Sequence, residues 1–220
     1  MTDWAAHARR EQERYRDGES RLHAAEDHDA RQRQLTRMGN AAAGAGLAEL
    51  MVGDTGEARD WFAQAVERYR ESWDDAPPGS WGRPIGMLKA RILAEDWDGA
   101  ARDAEWTLST GAAESGSPIG RYAACLALLV LGRDEEARVV SDGLRTHEGF
   151  PSDVGDALAT LAAQDVVAYV EAVESVLGSF ETRDEYLEDL PVADTVLVLQ
   201  ALAANRGMAA ELTSPLLPGV

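Results

Sequence analysis

The segment Pro84-Ile85-Gly86 recurs as Pro118-Ile119-Gly120, 34 residues on, and Pro151-Ser152-Asp153-Val154 opens 33 residues after that. Proline suits the first turn of a helix, where the N–H it lacks would have no partner anyway. A spacing of 33–34 residues is the length of one helix–turn–helix unit. Such a unit cannot bury its apolar face alone, so the period predicts helix pairs stacked on one another. The rest of the chain agrees. Alanine, the best helix former, occurs 38 times in 220 residues, whereas isoleucine occurs three times. β-branched runs are confined to short pieces such as Val139–Val140 and Val166–Val167, whose neighbours keep helical spacing. The expected fold class is therefore all-α, without strands.

Between the helices of each pair the turns share a grammar. They read Gly53-Asp54-Thr55-Gly56-Glu57-Ala58, Glu95-Asp96-Trp97-Asp98-Gly99-Ala100 and Gly132-Arg133-Asp134-Glu135-Glu136-Ala137, with a looser Gln164-Asp165-Val166-Val167-Ala168. In each, an acidic residue stands where it can cap or favour the N-terminus of the second helix. An alanine follows where two helices must touch. This grammar resembles the tetratricopeptide pattern over about residues 38–177. Gly46, Ala58, Phe62 and Ala65 occupy its small and aromatic positions in the first repeat, and Gly132 and Ala137 match in the third, where Ser141 replaces an aromatic. The resemblance implies antiparallel helix pairs in a compact right-handed solenoid, preceded by long N-terminal helices.

The expected map is one all-helical domain over 1–220, with an N-terminal extension (1–37), the repeats (38–177) and a C-terminal helix and tail (178–220). Helices are expected at 3–25, from the break at Glu26 to Asp29 on to Val52, and at 57–75, 84–94, 99–109, 118–131, 134–146, 152–163, 165–178, 181–189 and 191–205. In an open solenoid the first helices line a groove with polar side chains. Here the corresponding positions are apolar: Leu47, Leu50 and Met51, then Ile85, Ile92 and Leu93, then Tyr122, Leu126, Leu129 and Val130. An exposed stripe of that length is a liability. The C-terminal helix, with Val192, Val196, Leu199 and Leu202, is the candidate to cover it.

Charge narrows the function classes. There are 39 acidic and 21 basic residues, for a net charge of −18. That opposes a sequence-independent grip on nucleic acid and binding to an anionic membrane. It suits a basic protein partner, or simply a solvated surface in a salt-rich cytoplasm. The longest apolar run, Tyr122 to Leu131, is too short to span a bilayer. The N-terminus mixes Arg9, Arg10 and Arg14 with Glu11 and Glu13 and shows no signal core, so the expected location is cytoplasmic.

Candidate chemistry is sparse. Cys125 is the one cysteine and lies in the apolar run Ala123-Ala124-Cys125-Leu126-Ala127, where a thiol acts as a small hydrophobe. His23, Asp27 and His28 lack the spacing of a metal site. Gly39, Gly44 and Gly46 lie within a helix rather than in a phosphate-binding loop, and close helix packing explains them. No catalytic residue, cofactor or metal is expected. The residues expected to meet a partner are Trp81 and Arg83, beside a Gly/Pro loop, and the acidic run with Glu181, Asp184, Glu185 and Glu188. Glu181, Glu185 and Glu188 would share one helix face there. Of the six tryptophans, Trp81 is the one expected to be exposed.

Two stretches carry a family resemblance. One is Arg83 to Trp97 (RPIGMLKARILAEDW). The other is Ala193 to Gly207 (ADTVLVLQALAANRG), followed by Ser214-Pro215-Leu216-Leu217-Pro218. Together, over about residues 80–218, they resemble immunity protein family 49 of bacterial polymorphic toxin systems. The resemblance implies an all-helical, non-catalytic protein that neutralises a toxin by binding it; separately, a monomer or a homodimer is expected. It transfers no catalytic residue. A general adaptor and, in another class, a small-molecule enzyme on a helical fold are the rival readings. An enclosed pocket lined by Glu181, Glu185 or a histidine would mark the enzyme.

Overall fold

In a computed structural model the described residues are 2–25 and 27–219. Among them are ten α-helices, one 3₁₀ turn and no strand. The helices are α1 (Trp4–His23), α2 (His28–Val52), α3 (Thr55–Trp73), α4 (Gly82–Leu93), α5 (Trp97–Ser109), α6 (Pro118–Val130), α7 (Asp134–Arg145), α8 (Ser152–Ala162), α9 (Val166–Glu181) and α10 (Asp194–Ala204). The 3₁₀ turn, Leu187–Asp189, lies between α9 and α10. Glu26, in the expected break between the first two helices, lies outside the described residues, and α2 begins at His28 under an Asp27 cap.

The chain divides into two compact units. The first is Met1–Glu95 with Glu185–Val192 and Pro215–Val220, and the second is Asp96–Asp184 with Ala193–Ser214. In the first unit α1 packs on α2, α2 on α3 and α3 on α4. In the second α5, α6, α7, α8 and α9 each pack on the next, and α10 lies against α9 and α8.

The capping grammar works as the turns imply. Asp54, Asp96 and Asp165 are N-caps whose carboxylates accept from Glu57 N, Gly99 N and Ala168 N. A cap of this kind contributes about 1 kcal/mol. Asp134 is the exception. It sits inside α7, whose N-cap is Arg133, and its carboxylate is turned to another use described below.

Close approach explains the small residues. Ala58 and Ala137 are fully buried at their helix contacts. The ring of Tyr69 lies against both Gly39 and Gly86, and the ring of Phe62 against Gly46. A Cβ at Gly39 would come within 2.8 Å of the Tyr69 ring. Around these contacts the first unit buries Leu35, Met38, Met87, Leu88 and Ile92. The second unit buries Leu126, Leu129, Leu144, Leu158, Leu161 and Tyr169. Val196, Leu199 and Leu202 of α10 join that second core, against the α8–α9 pair. Leu47, Leu50 and Met51 stay half-buried on α2.

One expected element is corrected. No α-helix forms over 181–189. α9 continues to Glu181, and the chain then runs irregularly to the 3₁₀ turn. Glu188 and Asp189 hold left-handed conformations, at φ of 56° and 53°. A helix here would stack carboxylates at i, i+3 and i, i+4, where like charges repel. Glu188 is instead held by α1 and α2 of the first unit. Arg14 pairs with it at 2.5 Å, Arg10 donates to its carbonyl at 2.5 Å, and Asn40 Nδ2 donates to Oε1 at 3.0 Å. Those arginines also serve Glu11, fully buried on the packed face of α1, at 2.8 Å from Arg10 and 2.7 Å from Arg14. The packed face of α1 is thus partly polar. Its buried members are Ala8, Glu11, Tyr15 and Gly18.

Candidate functional site

The six residues expected to meet a partner differ in their settings. Trp81 is buried rather than exposed, at 8 % of its free area, with its ring 5.7 Å from that of Trp73. It caps the start of α4, and the preceding loop folds it inward because an indole gains more from apolar contact than from water. Glu181 ends α9 and accepts from Ser214 Oγ at 2.7 Å. Asp184 and Glu185 are exposed outside any helix. Glu188 is a structural anchor, as above. The shared helix face of Glu181, Glu185 and Glu188 does not exist, because that helix does not form.

Arg83 leads to an arrangement that gathers functional groups. It sits in the first turn of α4, half-buried. Its Nε donates to Ser72 Oγ at 2.9 Å, and its NH2 donates to Gln32 Oε1. Ser72 and Gln32 are themselves buried, at 0 % and 2 % exposure. Beside Arg83 opens a cavity of about 420 Å³ within the first unit. One wall is a stripe of α2, with Asp29, Arg33 and Arg37 at four-residue spacing and Gln32 and Thr36 between them. The other wall is Pro77, Ser80 and Arg83. Neither Glu181, Glu185 nor any histidine lines it.

The electrostatics of this cavity depend on how each charge is engaged. Asp29 accepts from Gln32 Nε2 at 2.8 Å and pairs with Arg33. Those bonds hold its carboxyl below the usual carboxylate range, the one from Gln32 foremost. Arg83 has only the neutral partners Ser72 and Gln32. Burial strips water from it and lowers its proton affinity from the ordinary arginine value. Arg14 shows the contrast. Burial acts against its charge too, but hydrogen bonds and charge from Glu188 and Glu11 prevail, and its affinity rises. Sequence reading singled out Arg83 but missed Arg33 and Arg37. Their signal was present, because positions 29, 33 and 37 fall on one helix face.

The other candidates are structural. Cys125 is fully buried, its thiol is pushed up to about 12 by burial, and Sγ lies 3.7 Å from the carbonyl of Ala137. A native sample is therefore expected not to react with a chromogenic disulfide reagent at pH 8, and to release one equivalent of colour once denatured. Rapid reaction of the folded protein would show that α6 and α7 open. His28 contacts Asp75 at 3.0 Å, and His147 Nδ1 accepts from Gly149 N at 3.0 Å. Among the described residues no group of three His, Cys, Asp or Glu side chains could hold a metal ion. Nor, among them, is any helix long and apolar enough to cross a membrane.

Surface charge differs between the units. The second holds about half of the acidic residues but only a third of the basic ones. Glu135 and Glu136 on α7 and Glu171 and Glu174 on α9 are exposed. Two apolar side chains stand out on the same helices, Val139 at 75 % and Val167 at 73 % exposure. No protein-family model, curated protein or solved structure matches the chain.

Proposed function

We propose that this chain is a non-catalytic binding protein of tetratricopeptide-like helix pairs in a compact right-handed solenoid, whose acidic second unit engages a cationic protein. The observation that carries this reading is the concentration of negative charge on the second unit, with Glu135, Glu171 and Glu174 left in water and Glu136 exposed on a surface bridge to Arg133. Exposed carboxylates around single apolar side chains suit an interface formed quickly by charge and held by a few anchors. Val139 and Val167 are the anchors available on α7 and α9. The succession of packed neighbours from α5 to α9, with Asp-capped second helices in α5 and α9, supports the repeat arrangement. The resemblance to immunity protein family 49 gives the sharper form, in which the partner is a basic toxin made by the same cell or its kin, met in the cytoplasm and neutralised by occlusion. A general adaptor differs in binding several partners through short peptides.

The test is a capture from native lysate at low and at high salt, repeated with a variant carrying E135K, E136K, E171K and E174K. The expected result is one basic protein at one-to-one stoichiometry, released by salt and lost in the variant. Capture that is indifferent both to salt and to the charge reversal would sink the reading. Several weakly held partners would favour the adaptor.

A further inference from the structure

The cavity beside Arg83 has no part in the reading above, because it belongs to the first unit and its charge has the opposite sign. Three guanidinium groups line it, Arg33 and Arg37 from one wall and Arg83 from the other, against the single carboxylate of Asp29. Asp29 is already engaged by Gln32 and Arg33. Arg37 is exposed, and no carboxylate among the described residues pairs with it. Arg83 uses Nε and one N–H of NH2 on Ser72 and Gln32, and its other N–H groups have no acceptor among the described residues. In a chain with a net charge of −18 carboxylates are abundant, yet among the described residues Arg37 and Arg83 have none, and only Arg33 is paired, with Asp29.

We propose that this cavity binds a phosphate group carried by a small molecule. A guanidinium fork matches a planar carboxylate from one side. Guanidinium groups contributed by two separate elements, α2 and α4, match a tetrahedral oxyanion better, since its oxygens diverge in several directions. The volume of about 420 Å³ lies in the range of small-molecule sites and exceeds what inorganic phosphate alone fills. Thr36 and Ser80 line the cavity, and their hydroxyl protons are bound to the Gln32 and Pro77 carbonyls, so the arginines supply the donors. Pro77 adds an apolar edge for the rest of the ligand. The overall negative charge does not forbid the site, because charges beyond about 8 Å are screened at physiological ionic strength.

The experiment is calorimetric titration of the full chain with pyrophosphate as probe and succinate, at matched ionic strength, as the carboxylate control. The expected result is saturable one-to-one binding of pyrophosphate and none of succinate. Arg37→Gln removes an exposed side chain and leaves the fold intact, and it is expected to weaken binding about tenfold, the size of one charge-assisted hydrogen bond. Arg83→Lys keeps the charge but loses the fork, and it is expected to weaken binding as well. Absence of saturable heat, or equal affinity in Arg37→Gln and the unsubstituted protein, would overturn the proposal. So would succinate binding as tightly as pyrophosphate.

Discussion

Arg206→Ala is expected to destabilise the second unit by about 3 kcal/mol, the low end of the cost of breaking a buried ion pair. Arg206 follows α10 and reaches back to the α6–α7 turn. Its NH2 pairs with Asp134 at 2.5 Å and donates to the Leu129 carbonyl at 2.7 Å, and NH1 donates to the Leu202 carbonyl at 3.0 Å. The two charged side chains are only 10 % and 17 % exposed, which distinguishes this pair from surface bridges such as Arg133–Glu136. Removing the guanidinium leaves Asp134 with Gln164 as its remaining partner and deprives a helix-terminal carbonyl of its donor. The pH dependence follows in sign. Burial alone would raise the Asp134 carboxyl, but hydrogen bonds from Arg206 and Gln164 and the charge of Arg206 outweigh it and hold it below the usual range. A depressed carboxyl contributes stability that is present above its unfolded value, about pH 4, and is lost as pH falls through the folded value. Urea unfolding at pH 7 and at pH 3 should therefore show a large gap between variant and unsubstituted protein that narrows in acid. A gap below about 1 kcal/mol at pH 7 would place this pair with solvated surface bridges.

Gly155→Val is expected to cost about 3 kcal/mol, at the upper end of ordinary overpacking. A Cβ at Gly155 of α8 would lie 2.9 Å from Arg145 Cα, 3.0 Å from Arg145 N and 3.3 Å from Leu144 C. All three are backbone atoms of α7, so nothing can rotate aside and the helices must part. Gly46→Ala is the informative control. There a Cβ meets the Phe62 ring at 2.7 Å, and a ring can turn. The helix-propensity gain of alanine over glycine, about 1 kcal/mol, offsets part of that strain. Thermal unfolding of both variants should rank Gly155→Val well below Gly46→Ala. The reverse order would mean that the α7–α8 contact is looser than the geometry implies.

Much of the architecture was legible in the chain itself. Helix existence, the Asp54, Asp96 and Asp165 caps, and the burial of Ala58, Ala137 and Cys125 all follow from short-range rules: a carboxylate reaches a backbone N–H three residues on, and a small residue marks a helix contact. The repeat period could place these features because each depends on neighbours within one turn or one helix pair. The candidate site was less legible. Arg83 stood out beside its loop, but its neighbours Arg33 and Arg37 lie about 50 residues away along the chain, and only folding sets them across a cavity.

Tertiary structure decided where long-range partners compete with local pattern. The run Glu181 to Asp189 has the residues of an exposed helix, yet Arg10, Arg14 and Asn40 capture Glu188 and hold the chain in left-handed backbone instead. Asp134 stands at a helix start and serves Arg206. Trp81 sits in a Gly/Pro loop and is buried on Trp73. By itself, the sequence determined that this is a helical chain with excess negative charge, because alanine content, apolar period and net charge are properties of the chain. Only the tertiary structure decided which charges are spent inside and which face water, because an ion pair depends on distance in space and on exclusion of solvent, and neither is encoded by spacing.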